Sequence, residues 1–219
     1  FDCSVGCSSG AYAIQMAHDA VALGRARCAL VCVPELPSAY ANFRERDSHF
    51  ILGDAAAAVV IQPDRPGLEI VDVELVSRFS NNVRNNGGFL NRCDAEHRDD
   101  ADKLFYQQGR RVFRDIVKLV PQVIEGQLGR HKLTPSDVRR FWLHQANARL
   151  NGAIGERLVG PKGQDKLPMV LEHTANTAAA GALLALDGHR DDLRPGDVGV
   201  LCAFGAGYTV GSLLLRVTE

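Results

Sequence analysis

The chain predicts an α/β layered fold, on three observations. Short apolar runs of strand length recur along it, segments with apolar residues at helical spacing lie between them, and most of the polar stretches joining them are brief. With 219 residues, 46% hydrophobic and 23% charged, it has material for one sizeable core or two small ones. Low-complexity segments and interdomain linkers are absent from the sequence.

The elements follow in order. Residues 1–7 are small and apolar enough for a buried strand ending at Cys7, Ser8-Ser9-Gly10 suits a tight turn, and residues 11–22 carry the first helix. Ala29-Leu-Val-Cys-Val33 reads as a strand closed by Pro34 and Pro37, and residues 38–48 as a polar turn region. Residues 50–61, interrupted by Gly53-Asp54, read as strand, turn and strand, with Asp54 serving the turn by capping backbone N–H groups. After the turn Pro63-Asp-Arg-Pro-Gly67, residues 68–77 alternate like a strand. A long polar loop is expected over residues 78–102. Residues 104–128 form a helix with Pro121 as a kink or break, residues 133–137 a short helix or turn, and residues 140–143 a strand that delivers His144. A helix over 147–158, a short strand at 169–171, an Ala-rich helix over 177–186 and a glycine-hinged strand pair over 197–217 complete the chain.

Twenty-five basic against 26 acidic residues leave a net charge of −1, so a nucleic-acid or membrane-surface partner is not expected. The six cysteines lack metal-ligand spacing and are expected to be reduced thiols of a cytoplasmic protein. Phe1 opens the chain inside an expected strand, without a turn, cap or initiator Met before it, so a preceding segment of the same protein is expected.

Three polar residues stand at the ends of apolar runs: Cys7, His144 in Leu143-His-Gln-Ala-Asn147, and Asn176 in His173-Thr-Ala-Asn-Thr177. Each alone has an ordinary structural explanation, as a packed thiol, a satisfied core histidine or a helix cap. Together they supply a nucleophile, a base or donor, and an amide donor, which are the parts needed for acyl transfer through a thioester. A helix N-terminus at Cys7 would favour its thiolate, and the loop Gly205-Ala206-Gly207 lets backbone approach an oxyanion closely.

The order of these motifs resembles the β-ketoacyl-acyl-carrier-protein synthase III family of the thiolase superfamily. The resemblance rests on Phe1-Asp2 followed by Cys7 and a small-residue helix, on Gly53-Asp54 with its Ala run, and on Tyr106-Gln-Gln-Gly-Arg-Arg-Val-Phe113. His144-Gln-Ala-Asn147, Asn176-Thr177 and Phe204-Gly-Ala-Gly-Tyr-Thr-Val-Gly-Ser212 complete it. Ala175-Asn-Thr and Phe-Gly-Ala-Gly-Tyr are similar to members that act on longer acyl chains.

The resemblance implies a five-layered αβαβα sandwich, incomplete at its N-terminus, that dimerises with a second copy. Residues 1–77 would be the remainder of the N-terminal half, carrying the nucleophile, and residues 78–219 the C-terminal half. It implies a decarboxylative Claisen condensation in fatty-acid or polyketide biosynthesis. Cys7 would take the acyl group from an acyl-CoA or acyl carrier, and His144 and Asn176 would hold the malonyl thioester carbonyl as carbon dioxide leaves. The backbone N–H groups of Cys7 and Ala206 would form the oxyanion hole; the family often has Gly at the latter position. CoA and acyl-carrier-protein thioesters are substrates in this scheme, with neither cofactor nor metal. Arg149 would meet the acidic carrier protein and Arg46 the CoA adenine, each weighed against a solvated surface charge. The weighed alternatives are a non-condensing acyltransferase that passes the acyl group to an alcohol or amine, and a catalytically silent partner subunit.

Overall fold

The computed structural model describes residues 1–46, 48–85 and 104–219. Asn86, Gly87, Gly88 and Cys93, which fall within the expected long loop, lie outside the described residues.

Thirteen elements carry the architecture among these residues. In chain order they are α1 (Ser9–Ala22), β1 (Ala29–Glu35), β2 (Ala55–Ile61), β3 (Leu68–Ser80), β4 (Val83–Arg84) and β5 (Tyr106–Gln107). Then come α2 (Gly109–Arg130), β6 (Val138–Leu143), α3 (Ala148–Val159), α4 (Leu171–Thr174), α5 (Gly181–Gly188), β7 (Val198–Gly205) and β8 (Gly207–Val217). The main sheet runs β3-β8-β7-β6, with only the β6–β7 pair parallel, and β1 and β2 form a separate antiparallel pair. The turn at residues 63–67 lies between β2 of the separate pair and β3 of the main sheet.

Strand alternation divides the core. Val198, Val200, Cys202 and Phe204 of β7 face α2 and α3, packing with Ile116, Val120, Ile124, Leu150 and Ile154. Leu201 and Ala203 face the other way, onto Ala11 and Ile14 of α1, Ala182 and Ala185 of α5, and Val31 and Val33 of β1. The result is four consecutive layers: α2/α3, main sheet, α1/α5 and the β1–β2 pair. On the far side of that pair the facing residues Leu30 and Val60 are 64% and 60% exposed. No described helix is long and apolar enough to cross a membrane.

The structure departs from several sequence expectations. Residues 1–7 form no strand; a lone bridge joins Val5 and Cys7 across Gly6, which sits at φ +60°. Ser9 closes this turn, its Oγ accepting from Val5 N and donating to Gly6 O, so local hydroxyl bonds replace a ladder. The expected first strand of 50–61 is a single 3-10 turn, His49–Ile51, and only β2 forms. Residues 78–84, assigned to a loop, lie partly in β3 and β4. Pro121 does not break α2, because its buried face, with Val120, Val123 and Ile124, packs on the sheet and outweighs one lost backbone bond. The strand expected at 169–171 is instead the approach to α4, where Thr174 N and Ala175 N bond Val170 O and Leu171 O.

Candidate active site

Cys7 stands one residue ahead of Ser8, the buried N-cap of α1. Ser8 Oγ bonds Val5 O at 2.9 Å and Thr209 Oγ1 at 2.6 Å, which ties the cysteine turn to β8. Thr209 Oγ1 in turn lies 2.8 Å from Ala206 O. The link holds Cys7 against the β7–β8 loop: a Cβ built on Gly205 would fall 2.7 Å from Cys7 Cβ and 3.0 Å from Cys7 N. Only glycine permits that approach. Ala206 is not among the described residues with positive φ, so alanine is conformationally ordinary there.

His144 directly follows β6, its N–H donating to Cys202 O at 2.8 Å in the parallel register. Asn151 Nδ2, one helical turn past the N-cap Asn147, donates to His144 O at 3.0 Å. The imidazole packs edge-on to Phe204 at 5.2 Å between centroids, and its Nδ1 is buried without a hydrogen-bond partner. Burial pushes His144 down to about 4 against a weaker backbone hydrogen bond at Ala178, so the ring is neutral at neutral pH.

Asn176 is held from both sides by the segment before β2: its N–H donates to Ile51 O at 2.8 Å and its carbonyl accepts from Gly53 N at 3.0 Å. A Cβ on Gly53 would lie 2.3 Å from Thr174 O, which explains the glycine of Gly53-Asp54. Asp54 acts as expected of a cap, but on another turn: its carboxylate accepts from Ser38 N at 2.9 Å and from Ser38 Oγ. Asn176 Oδ1 accepts from Ala178 N at 3.0 Å, which leaves both amide N–H bonds for a ligand. Ala175 and Ala178 flank it at φ +55° and +46°, a costly conformation for alanine that the surrounding bonds maintain. Gln145 of the His-Gln-Ala-Asn run is structural: buried, it donates to Leu143 O and accepts from Val170 N, pinning the chain that leads to Asn176.

Cys7, His144 and Asn176 meet on one cavity of about 620 Å³, with Ala206 and Arg149 also in its wall. Val83, Phe105, Val112, Phe113 and Ile116 give it an apolar side. Arg149 is exposed and its guanidinium lies 5.4 Å from the centre of the Phe113 ring. Arg46 is exposed and does not line the cavity. The expected thiolate is corrected: burial, and then the Glu35 carboxylate, push the Cys7 thiol up to about 12, outweighing the end of α1. An uncharged thiol and a neutral imidazole therefore share the cavity.

Residues 1–78 match the family described as 3-oxoacyl-[acyl-carrier-protein] synthase III, and residues 128–217 match its C-terminal region. A β-ketoacyl-[acyl-carrier-protein] synthase III of Acidiphilium cryptum is 32% identical, the match covering 99% of this chain and 67% of that protein. The chain belongs to the 3-oxoacyl-acyl-carrier-protein synthase III family.

A β-ketodecanoyl-[acyl-carrier-protein] synthase of Pseudomonas aeruginosa is 44% identical to this chain, over 99% of the chain and 63% of that protein. The crystal structure of the synthase III of Thermus thermophilus superposes with a TM-score of 0.85 at 28% identity, covering 99% of this chain and 67% of that one. The thiolase-like fold is thus shared, and the chain spans roughly two thirds of the length of the relatives it matches. Glu35 and Tyr40, two titratable residues that the motifs of this family member do not mark, also line the cavity. The signal for Glu35 was present: it continues the Val31, Val33 alternation by one step, an acid in a core-facing position of β1.

Proposed function

We propose that this protein catalyses the decarboxylative condensation of an acyl-CoA with malonyl-acyl carrier protein. The observation that carries the reading is the meeting of Cys7, His144 and Asn176, from three distant parts of the chain, on one cavity. Cys7 Sγ attacks the thioester carbonyl and its proton ends on the departing CoA sulfur. Malonyl thioester then loses carbon dioxide, and the enolate oxygen accepts hydrogen bonds from the His144 ring and the Asn176 amide. Neutral donors suit this task, since a carboxylate there would repel the developing charge. The carbanion forms the carbon–carbon bond at the Cys7 acyl carbonyl, whose oxyanion is held by the N–H groups of Cys7 and Ala206. Collapse expels the Cys7 thiolate, which takes up a proton.

The donor we propose is of medium length. Condensation with malonyl adds two carbons after carbon dioxide leaves, so a β-ketodecanoyl product, as in the name of the 44% identical relative, requires an octanoyl donor. The apolar wall of Val112, Phe113 and Ile116 fits such a chain. Arg149 at the cavity is the proposed contact for the acidic carrier protein, and Arg46, outside it, for the CoA adenine. CoA and carrier-protein thioesters are substrates, without a further cofactor. The enzyme is proposed to be a cytoplasmic homodimer, for which native mass spectrometry is the check.

Incubation with an acyl-CoA panel should give one acyl adduct, at Cys7, by intact mass, strongest near octanoyl. With malonyl carrier protein, His144→Ala and Asn176→Ala should each slow carbon dioxide release about a hundredfold to a thousandfold. Wild-type rates in both variants would overturn the condensation; acyl transfer to an alcohol or amine without carbon dioxide would point to a non-condensing acyltransferase instead.

A further inference from the structure

Glu35 is a half-buried carboxylate in the catalytic cavity that the condensation scheme leaves without a task. It ends β1 on the face that buries Val31 and Val33, so its side chain is directed inward, toward the turn that follows Asn176. There its Oε1 accepts from Ala179 N at 3.2 Å. The neighbouring N–H, of Ala178, is the one that holds Asn176 Oδ1. Two successive backbone donors of one turn are thus ligated by two side chains, one of them a donor-bearing amide of the proposed site. Ala179 is itself wedged close to α1, for a Cβ on Gly10 would meet Ala179 O at 3.3 Å. The turn carries Ala178 at φ +46°, a costly conformation that these two bonds help to hold.

We propose that Glu35 is a positioning residue for Asn176: by fixing the Ala178-Ala179 turn from β1, it sets the direction in which the Asn176 amide offers its N–H bonds to the malonyl carbonyl. The strand that lies behind the nucleophile is thereby coupled to the donor on the other side of the cavity. This rests on the condensation reading for its catalytic meaning, but not for its geometry. A second consequence follows from charge. Cys7 and Tyr40 line the same cavity, where burial first opposes ionisation of both and the Glu35 carboxylate adds to it, with Cys7 and Asp54 also acting on Tyr40. Glu35 itself is shifted up by burial, against the hydrogen bond from Ala179.

The test compares Glu35→Ala, which removes hydrogen bond and charge, with Glu35→Gln, which keeps an accepting oxygen and removes only the charge. In Glu35→Ala, Cys7 acylation by octanoyl-CoA should persist while carbon dioxide release from malonyl carrier protein falls on the order of a hundredfold, the scale of an ångström's misplacement. Glu35→Gln should restore that release. In both variants the pH midpoint of Cys7 alkylation by iodoacetamide should move down, because a negative charge has left the cavity. Carbon dioxide release that survives Glu35→Ala, or is equally lost in Glu35→Gln, overturns the proposal, as does an equal loss of acylation and release. A crystal structure of Glu35→Ala gives a reading free of substrate: a displaced Asn176 amide supports the positioning role and an unmoved one refutes it. Absence of both adduct and carbon dioxide in the wild type would instead sink the condensation reading, leaving the structural arm to decide on Glu35.

Discussion

Gly205 marks how closely backbone must approach the nucleophile, with the position of an added Cβ only 3.2 Å from Cys7 Sγ. Gly205→Ala should therefore push the cysteine turn away from β7 and destabilise by about 1–3 kcal/mol, as overpacking does. Thermal unfolding should report the loss, and intact mass should show a weakened acyl adduct. Ala206 makes the internal control. Its φ is not positive, so Ala206→Gly should leave adduct formation close to wild type; a variant as impaired as Gly205→Ala would show that the Ala206 side chain matters. The same contrast explains what was readable at this scale. Cys7, His144 and Asn176 could be proposed from the sequence because residue type and order carry their chemistry, and the structure places all three on one cavity. The protonation state of Cys7 was not, since it depends on burial and on Glu35, which is 28 positions away in sequence but shares its cavity.

The elements are tied together by a few buried polar side chains, and Gln127 of α2 is the plainest. Its Nε2 donates to Asp72 O of β3 and Ser212 O of β8, both at 3.1 Å, and its Oε1 accepts from Ser212 Oγ at 2.6 Å. Helix periodicity marks position 127 as core-facing, but does not show which strands it bridges. Gln127→Leu takes one partner from the Ser212 hydroxyl and the side-chain donor from two carbonyls, and should cost about 2–4 kcal/mol by urea unfolding. Adding Ser212→Ala should recover part of that loss, because removing both partners leaves fewer unpaired groups; strictly additive costs would contradict the pairing. Most helices and β1, β6, β7 and β8 were legible from periodicity. The failures, at residues 1–7, 50–52 and 169–171, are short apolar stretches that pattern alone cannot distinguish from strands. Serine hydroxyls at the cysteine turn and Gln145 at Val170 decided two of these instead.

Across the whole molecule, the buried titratable groups set the pH range of stability. His144 is held near 4 rather than 6.5 when folded, so the unfolded chain takes up a proton first and stability should decline as pH falls from about 6.5 toward 4. Cys7 and Cys202 are both pushed up to about 12 from 9.0, chiefly by burial, so the unfolded chain loses protons first and stability should decline as pH rises above about 9. Urea midpoints across pH should trace both slopes, and His144→Gln should flatten the acid one; an unchanged acid slope would mean that His144 is not buried neutral. The sequence by itself determined the α/β class and the family, and it singled out three groups for the proposed chemistry, because strand and helix periods, residue chemistry and motif order are local properties of the chain. Only the tertiary structure decided that β3 joins the main sheet, that Arg46 stands outside the cavity, that Cys7 rests as a thiol and that Glu35 braces the turn beside Asn176. Those facts arise where distant segments meet, and desolvation and strand pairing there depend on neighbours that no local pattern names.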